Sequence, residues 1–200
     1  MHGILKELAK VFATLPGLGP RSANRIAITL AEHKDEMTEV MIKLLQRMQK
    51  TISKCEICSN FCESNICHIC SDYNRDKNQI CIVSEITHLW AIEKMGQFEG
   101  VYHILGGTLS IIDAIGPNDI DFEALERRIH NQDGPTECII AMNPTIQGQA
   151  TTHYIQELLK RYENITTSTL ALGMPMGSQL DYLDNGTIAM AMASRKEISK

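Results

Sequence analysis

The chain has 200 residues, of which 44% are hydrophobic, and a formal net charge of -5. A chain of this size can bury a sizeable core without disulfides. No run approaches the about 18 apolar residues of a membrane span, and the first ten residues lack the apolar core of a signal peptide, so we expect a cytoplasmic protein with no membrane partner. Seven cysteines, an odd number with four closely clustered, argue against a secreted disulfide framework.

The charge is unevenly distributed along the chain. Residues 1–54 carry nine Lys/Arg against five Asp/Glu, a balance of +4, whereas residues 55–200 carry ten against nineteen, a balance of -9. A basic N-terminal segment on an acidic body indicates that a polyanion would be bound at the N-terminal end. On charge alone, a solvated helical face is the simpler interpretation.

The N-terminal segment predicts two helices joined by a glycine hairpin. Apolar residues recur at helical spacing over residues 4–15, and the stretch LPGLGPRSANRIA, residues 15–27, follows directly. Gly17 and Gly19 permit backbone geometries closed to other residues, and the proline after them fits the first turn of a new helix.

The start of this second helix is a candidate DNA-binding site. Bare backbone N–H groups and the helix dipole favour an anion there, and Arg21 and Arg25 lie one helical turn apart beside it. Gly17, Gly19, Arg21 and Arg25 would therefore hold phosphates irrespective of base sequence. The alternative is a plain, tight connection between two packed helices.

Two further segments predict apolar helices. Residues 37–52 place methionines and leucines on one stripe, which is more often core, although a partner-binding face is the alternative. Near the C-terminus, a polar turn at residues 184–186 precedes a last apolar helix over residues 188–193. We expect this helix to pack on its own domain, docking on a partner being the alternative.

Four cysteines of CEICSNFCESNICHIC are the strongest chemical signal. Cys55/Cys58 and Cys67/Cys70 form two Cys-x-x-Cys pairs separated by eight residues, a spacing that suits one tetrahedral Zn²⁺. Four cysteine ligands leave no open position, so we expect a structural ion rather than a catalytic metal or redox-active thiols. Cys62 is a weaker alternative ligand, because its offset matches neither pair.

From residue 80 onward, strands alternate with helices, which predicts a parallel sheet with right-handed crossovers. The apolar and β-branched runs give four strands. The predicted strands are residues 80–85, 101–105, 137–142 and 165–170, and the predicted helices are residues 86–95, 122–130 and 150–161.

The carboxyl ends of these strands, where such folds bind ligands, are poor in acids. Glu85 is the only carboxylate there, and the loop NPTIQGQ offers Gln147 and Gln149 where a metal-dependent phosphoryl transferase needs charge. We therefore expect no catalytic residues and no enzymatic activity, the alternative being a nuclease or primase-like phosphoryl transferase. Three histidines are interpreted as satisfied or surface side chains: His88, His103 and His153.

In this order, the motifs resemble the RecR family of bacterial recombination mediators. The resemblance rests on LPGLGPRSANRIA, CxxC-x8-CxxC, CIVSE, AIEKMGQFEGVYHILGG, IGPNDI, NPTIQGQAT and G-x-P-x-G, and covers essentially the whole chain. It implies a multidomain α plus α/β protein. Its parts would be a helix-hairpin-helix region (1–53), a four-cysteine zinc finger (54–72), a Toprim domain with a parallel sheet (78–172) and a C-terminal loop and helix likened to a Walker B element (173–200).

The resemblance also implies a function. It implies a non-enzymatic mediator that binds DNA as a ring-like clamp, a homotetramer or dimer of dimers built through the N- and C-terminal regions. This clamp would act with RecO and RecF to load RecA on SSB-coated single-stranded DNA at gaps. A pure protein-interaction adaptor, in which the hairpin is only a turn, is a further alternative.

Two departures from the family pattern concern the Toprim domain. The family glutamate after the first apolar strand is Ser84 here, with Glu85 one place later, and both glutamates of the Asn-Pro-x-x-Glu-Gly-Glu loop are amides, Gln147 and Gln149. Strong Mg²⁺ binding is therefore not expected. We expect partner contacts at the strand ends through Glu85, Asn143, Gln147 and Gln149, and any RecO contact that relatives make through these acids must be built differently.

Overall fold

The computed structural model describes residues 2–171 and 173–195 and divides the chain into two compact units. The first unit ends at Ile52 and the second begins at Ser53. Residues 196–200, which end the predicted C-terminal segment, lie outside the described residues, as does residue 172. No helix in the described part of the chain is long and apolar enough to cross a membrane.

The N-terminal unit is helical. It consists of α1 (Ile4–Ala13), α2 (Pro20–Glu32), a π-helical turn (Lys34–Thr38) and α3 (Glu39–Thr51). Helices α1 and α2 pack against each other. Small side chains let their backbones approach closely, and the buried residues of the pair are Ala9, Ala23, Ala27 and Leu30.

Helix α3 exposes its apolar stripe. None of its residues is buried against the described part of the chain. The prediction that this stripe belongs to the core is therefore wrong for the single chain, which leaves the stripe exposed to solvent. The exposed side chains of the stripe are Val40, Met41, Leu44, Leu45 and Met48.

The second unit opens with a small cysteine-containing module. Two short antiparallel strands, β1 (Ser53–Lys54) and β2 (Phe61–Cys62), form a ribbon, and a single helical turn, α4 (His68–Ser71), follows. We call residues 53–71 the ribbon. It packs on the sheet that comes next, because the main-chain N–H of Ile104 donates to the carbonyl of Cys58 at 3.0 Å.

A four-stranded sheet, parallel throughout, forms the body of the second unit, as the alternating pattern predicts. Its strand order is β4-β3-β5-β6, and helices follow the first three strands. The elements in chain order are β3 (Asp76–Val83), α5 (Ile86–Glu93), β4 (Gly100–Ile104), α6 (Phe122–His130), β5 (Thr136–Ala141), α7 (Ile146–Leu159) and β6 (Ile165–Thr169).

Strand β3 is central, and its boundaries differ from the prediction. Residues 80–83 are a buried apolar run, as expected for a strand covered on both faces. The strand begins four residues before the run, at Asp76, because polar residues there also pair with neighbours, as Gln79 does with Glu137 of β5. It ends at Val83, so Ser84 and Glu85 lie beyond it.

Helix α7 begins four residues earlier than predicted. The stretch NPTIQGQ is not wholly a loop, because Thr145 caps the helix by accepting a hydrogen bond from the N–H of Gly148 at 3.1 Å. A Cβ at Gly148 would overlap the carbonyl oxygen of Asn143. Glycine at this position therefore lets the chain turn tightly from β5 into α7.

The C-terminal segment ends in α8 (Asn185–Ala193). The polar turn predicted before it is the start of the helix, where Asp184 accepts a hydrogen bond from the N–H of Thr187 at 3.0 Å. No residue of α8 is buried among the described residues, and Met192 is 61% exposed. Ile188 and Ala191 of the helix are half-buried, so its packing on its own domain stays a prediction.

Candidate nucleic-acid interface and metal centre

The hairpin between α1 and α2 is a tight turn closed by the Leu18 N–H, which donates to the Leu15 carbonyl at 3.2 Å. Gly17 has a φ of 79°, in the left-handed region that favours glycine. Gly19 has a φ of -79°, which any residue adopts, so the expectation that its backbone geometry requires glycine is wrong. A Cβ at Gly19 would meet open space.

The start of α2 is open to solvent. The first hydrogen bond of the helix runs from the N–H of Ala23 to the carbonyl of Gly19 at 3.0 Å. The N–H groups of the two residues before Ala23 therefore have no acceptor within the helix. Arg21 and Arg25 are exposed on this helix, and neither forms an ion pair with a residue that the structure describes. The two guanidinium groups are therefore available to an anion.

The four predicted metal ligands meet in the ribbon. The Sγ atoms of Cys55, Cys58, Cys67 and Cys70 all lie within 4.8 Å of one another, and those of Cys58 and Cys67 are 3.5 Å apart. A tetrahedral zinc site with Zn–S bonds of about 2.3 Å requires sulfurs about 3.8 Å apart. The donor set therefore fits a four-coordinate structural metal.

Local backbone structure positions these sulfurs. The first pair lies in a knuckle closed by the Ser59 N–H, which donates to the Cys55 carbonyl at 2.9 Å, and the second pair spans the start and end of the α4 turn. Main-chain N–H groups also point at sulfur: that of Cys67 to Cys55 Sγ at 3.3 Å, and that of Cys70 to Cys67 Sγ at 3.5 Å. These donors stabilise negative charge on the sulfurs.

Thiol acidity in the cluster reflects this crowding. The hydrogen bond with Cys70 and then burial raise the pKa of Cys58, while burial raises the pKa of Cys67. The hydrogen bond from Cys58 lowers the pKa of Cys70 to about 6. Ionisation of one thiol thus makes ionisation of its neighbours less favourable. A bound cation removes this repulsion and allows all four cysteines to be thiolates.

Cys62 lies outside the ligand set. Its Sγ is directed at main-chain carbonyls, 2.7 Å from Ser64 O and 3.8 Å from Ser53 O. Four sulfurs, not five, therefore face one another, as the spacing argument indicates.

The ends of β3 and β5 bring together polar side chains that lie far apart in the sequence. Ser84 Oγ is 3.0 Å from Nδ1 of His88, and Nε2 of His88 is 3.4 Å from the Asn143 side-chain amide. Both ring nitrogens of His88 thus have polar neighbours, which agrees with its interpretation as a satisfied side chain, although the sequence did not indicate which neighbours these are. Only the adjacency of β3 and β5 in the sheet reveals them, since 55 residues separate His88 from Asn143.

The other predicted partner-binding residues lie around the same edge. Glu85 is exposed and accepts a hydrogen bond from Thr87 at 3.3 Å. Gln147 and Gln149 belong to the first turn of α7. Asn143 and Gln149 line a cavity of about 260 Å³. In the described part of the chain, the four cysteines form the only group of three or more metal-ligating residues within reach of one another.

Sequence models of known families match three parts of the chain. They are described as "RecR, helix-hairpin-helix" for residues 5–49, "Toprim domain" for residues 78–171 and "RecR, C-terminal" for residues 173–196. Together with the fold, these matches define the class: a Toprim protein that carries a helix-hairpin-helix unit and a four-cysteine metal-binding cluster.

Curated relatives named Recombination protein RecR cover nearly the full length. That of Neorickettsia sennetsu is 43% identical over 97% of this chain and 98% of its own, and that of Jannaschia sp. (strain CCS1) is 41% identical over 97% of this chain and 96% of its own. The chain belongs to the RecR family of recombination proteins. This membership supports a role in recombination and repair, and the helix-hairpin-helix unit points to DNA binding.

Proposed function

We propose that this protein is a non-enzymatic recombination mediator that binds DNA irrespective of sequence. It acts with RecO and RecF to promote RecA loading on SSB-coated single-stranded DNA at gaps. The observation that carries the proposal is the open start of α2, where Arg21 and Arg25 lie beside backbone amides and form no ion pair with any residue that the structure describes. This site lies in the segment that carries the family's helix-hairpin-helix signature.

The chemistry of this start suits a phosphate and provides no base readout. Backbone amides and the helix dipole attract an anion, and two guanidinium groups four residues apart can contact successive phosphates. Gly17 shapes the turn, and the bare Cα of Gly19 leaves room for a DNA backbone to approach the amides. Contacts of this kind bind DNA of any sequence and weaken with salt.

The test is a salt titration of DNA affinity for the Arg21→Ala/Arg25→Ala variant. Each lost phosphate contact reduces the slope of log affinity against log salt by about 0.9 on duplex DNA. The double variant should therefore bind all sequences more weakly, with a slope about 1.8 shallower. The control is Lys160→Ala/Arg161→Ala, which removes two positive charges from exposed side chains of the second unit. Unchanged affinity of the hairpin variant would contradict the proposal.

The ion of the ribbon is proposed to be one structural Zn²⁺. Cys55, Cys58, Cys67 and Cys70 would hold it, and closing the shell with four thiolates leaves no position for water or substrate. When bound, zinc supplies folding energy to a module that has little interior of its own. We accordingly propose the domain division 1–53, 54–72, 78–172 and 173–200.

Self-association into a homotetramer or dimer of dimers is part of the proposal. The apolar stripe of α3 is exposed on the single chain, and so are Met190 and Met192 of α8, as association surfaces would be before assembly. An acidic protein with one small basic face gains useful DNA affinity when several copies bind together, and a ring that encloses DNA achieves this. Light scattering that gives only a monomer at every concentration would contradict the clamp.

We place the protein in the cytoplasm, associated with the nucleoid and without a membrane partner. None of the seven cysteines, all of which lie in the described part of the chain, forms a disulfide, which suits a reducing compartment.

A protein partner is proposed to bind at the strand ends, where it would contact Glu85, Asn143, Gln147 and Gln149. A positive Mg²⁺-dependent nicking assay would favour the rival class, a Toprim phosphoryl transferase.

A further inference from the structure

We propose that Arg128 of α6 balances the charge of the four-cysteine metal centre and thereby couples metal binding to docking of the ribbon on the Toprim domain. The inference rests on the proposed occupancy of that centre by Zn²⁺. It assigns a role to a residue 58 positions away from the last cysteine ligand.

The metal centre creates a charge problem that the ribbon alone does not solve. Four thiolates and one divalent ion carry a net charge of two minus, and Cys55, Cys58 and Cys67 are buried. Burying net charge is costly unless cations or hydrogen-bond donors lie nearby. Main-chain N–H groups supply part of this compensation, as described above, but they carry no full positive charge.

Arg128 is positioned to supply that charge. It lies in the last turn of α6, half-buried, and its guanidinium donates to the main-chain carbonyl of Tyr102 on β4. Arg128 and Cys70 line the same cavity, about 570 Å³ in volume, between the ribbon and the Toprim domain. Burial lowers the pKa of Arg128, and the field of the cysteines, Cys70 foremost, opposes this effect.

The same strand links Arg128 to the ribbon through the main chain. Tyr102 accepts from Arg128, and two residues later Ile104 donates to the carbonyl of Cys58 at 3.0 Å. Strand β4 therefore accepts a hydrogen bond from α6 through the carbonyl of Tyr102, and it donates one to the first cysteine knuckle through the N–H of Ile104. A change at Arg128 acts on the metal centre both through its charge and through this strand.

Two other cations, Lys77 and Arg127, line the same cavity. The ammonium of Lys77 donates to the carbonyls of Asp72 and Cys70 at 2.6 and 3.0 Å, so it closes the C-terminal end of the α4 turn. Arg127, next along α6, is 66% exposed in its side chain and lies near Asp121 and Glu123. Arg127 thus provides a matched control at the adjacent position.

The experiment measures metal binding by Arg128→Gln, Arg128→Lys and Arg127→Gln in the full-length protein. Competition with a chromophoric chelator gives the zinc affinity. We expect Arg128→Gln to weaken it about 10- to 100-fold, as for other partners of ligating residues. Arg128→Lys, which keeps the charge, should regain most of the loss, and Arg127→Gln should stay within twofold of wild type.

A spectroscopic readout separates charge balance from a purely structural role. With Co²⁺ in the site, loss of a nearby positive charge raises the energy of the sulfur electrons, so the sulfur-to-cobalt charge-transfer band of Arg128→Gln should move to longer wavelength. An unchanged band would overturn the charge-balancing role of Arg128 whether or not the zinc affinity falls, because a purely structural contact changes affinity without moving the band. A wild-type protein that binds no metal would instead overturn the proposed zinc site.

Discussion

Arg75 and Glu93 form a bidentate ion pair that joins the entrance of β3 to the end of α5. Nη1 of Arg75 lies 2.8 Å from Oε1 of Glu93, and Nη2 lies 2.6 Å from Oε2. Nη1 also donates to the carbonyls of Phe98 and Gly100 at 3.2 and 3.1 Å. The pair therefore fixes the connection from α5 into β4, the strand on which the ribbon rests.

Replacing Glu93 with Gln should destabilise the second unit by about 2 kcal/mol, because the largely buried guanidinium of Arg75 then keeps only the more distant carboxylate of Asp72, 3.9 Å from its Nε. The hydrogen bonds from Arg75 lower the pKa of Glu93, so the stability of the pair is present above the unfolded pKa of the carboxyl and is lost as pH falls through its folded pKa. Urea unfolding at pH 7 measures the loss.

The control for this ion pair is Glu157→Gln, which breaks the exposed Glu157–Lys160 pair of the same unit. Exposed pairs contribute little, so the free energy of unfolding of this variant should stay close to that of the wild type. Equal effects of the two substitutions would show that burial does not increase the contribution of the Arg75–Glu93 pair to the free energy of unfolding.

Removing a metal ligand should unfold the ribbon and weaken assembly. Cys67→Ala, or treatment of the wild type with a chelator, leaves buried thiols crowded together without the cation that binds them, and structural zinc contributes directly to folding energy. Elemental analysis, thermal melting and light scattering check this expectation.

Cys62→Ser is the matched control for the metal centre, since Cys62 lies within the same ribbon but faces carbonyls. It should retain one zinc per chain and melt like the wild type. An apo protein that stays folded and assembled yet loses DNA binding would show that the ion has a more direct role in DNA contact than we propose.

His103 should make stability depend on pH. It is 1% exposed and neither ring nitrogen has a well-formed hydrogen bond among the described residues, so the interpretation of His103 as a satisfied or surface side chain is wrong. Burial, with the field of Arg128, lowers its pKa from 6.5 to about 3, against the smaller opposing effects of Asp121 and the Ile57 main chain. The unfolded chain therefore binds a proton between these values that the folded chain does not. Stability should fall by about 1.4 kcal/mol for each pH unit below about 6.

The comparison variant is His103→Leu, which fills a similar volume without a titrating group. Urea unfolding at pH 7.5, 6 and 5 with zinc supplied should give a shallower pH dependence for the variant than for wild type. Identical dependences would mean that His103 gains a proton in the folded state as readily as in the unfolded chain.

The parts of the fold that depend on local pattern could be predicted from the sequence. The apolar run at residues 80–83, the cysteine spacing and the Gly-Pro hairpin specify their elements within a few residues. The start of α7 could not be predicted from the sequence, because Gly148 has a low helix propensity and lies in its first turn. The residue that caps the helix, Thr145, also follows an Asn-Pro pair that is typical of loops.

Features that depend on spatial order were beyond the sequence. Ser84, His88 and Asn143 meet only because β5 pairs with β3, and Arg128 shares a cavity with Cys70 only because α6 lies beside the ribbon. The exposure of α3 was equally hidden, since an apolar stripe has the same spacing whether its own chain or a second copy covers it. Periodicity identifies a face but not what covers it.

The most direct test of the account is RecA loading on SSB-coated gapped DNA in the presence of RecO and RecF. Wild-type protein should accelerate loading, whereas Arg21→Ala/Arg25→Ala should fail to do so even though it binds zinc and assembles like the wild type. A hairpin variant that loads RecA as fast as the wild type would contradict the central claim that the start of α2 is where this protein holds DNA.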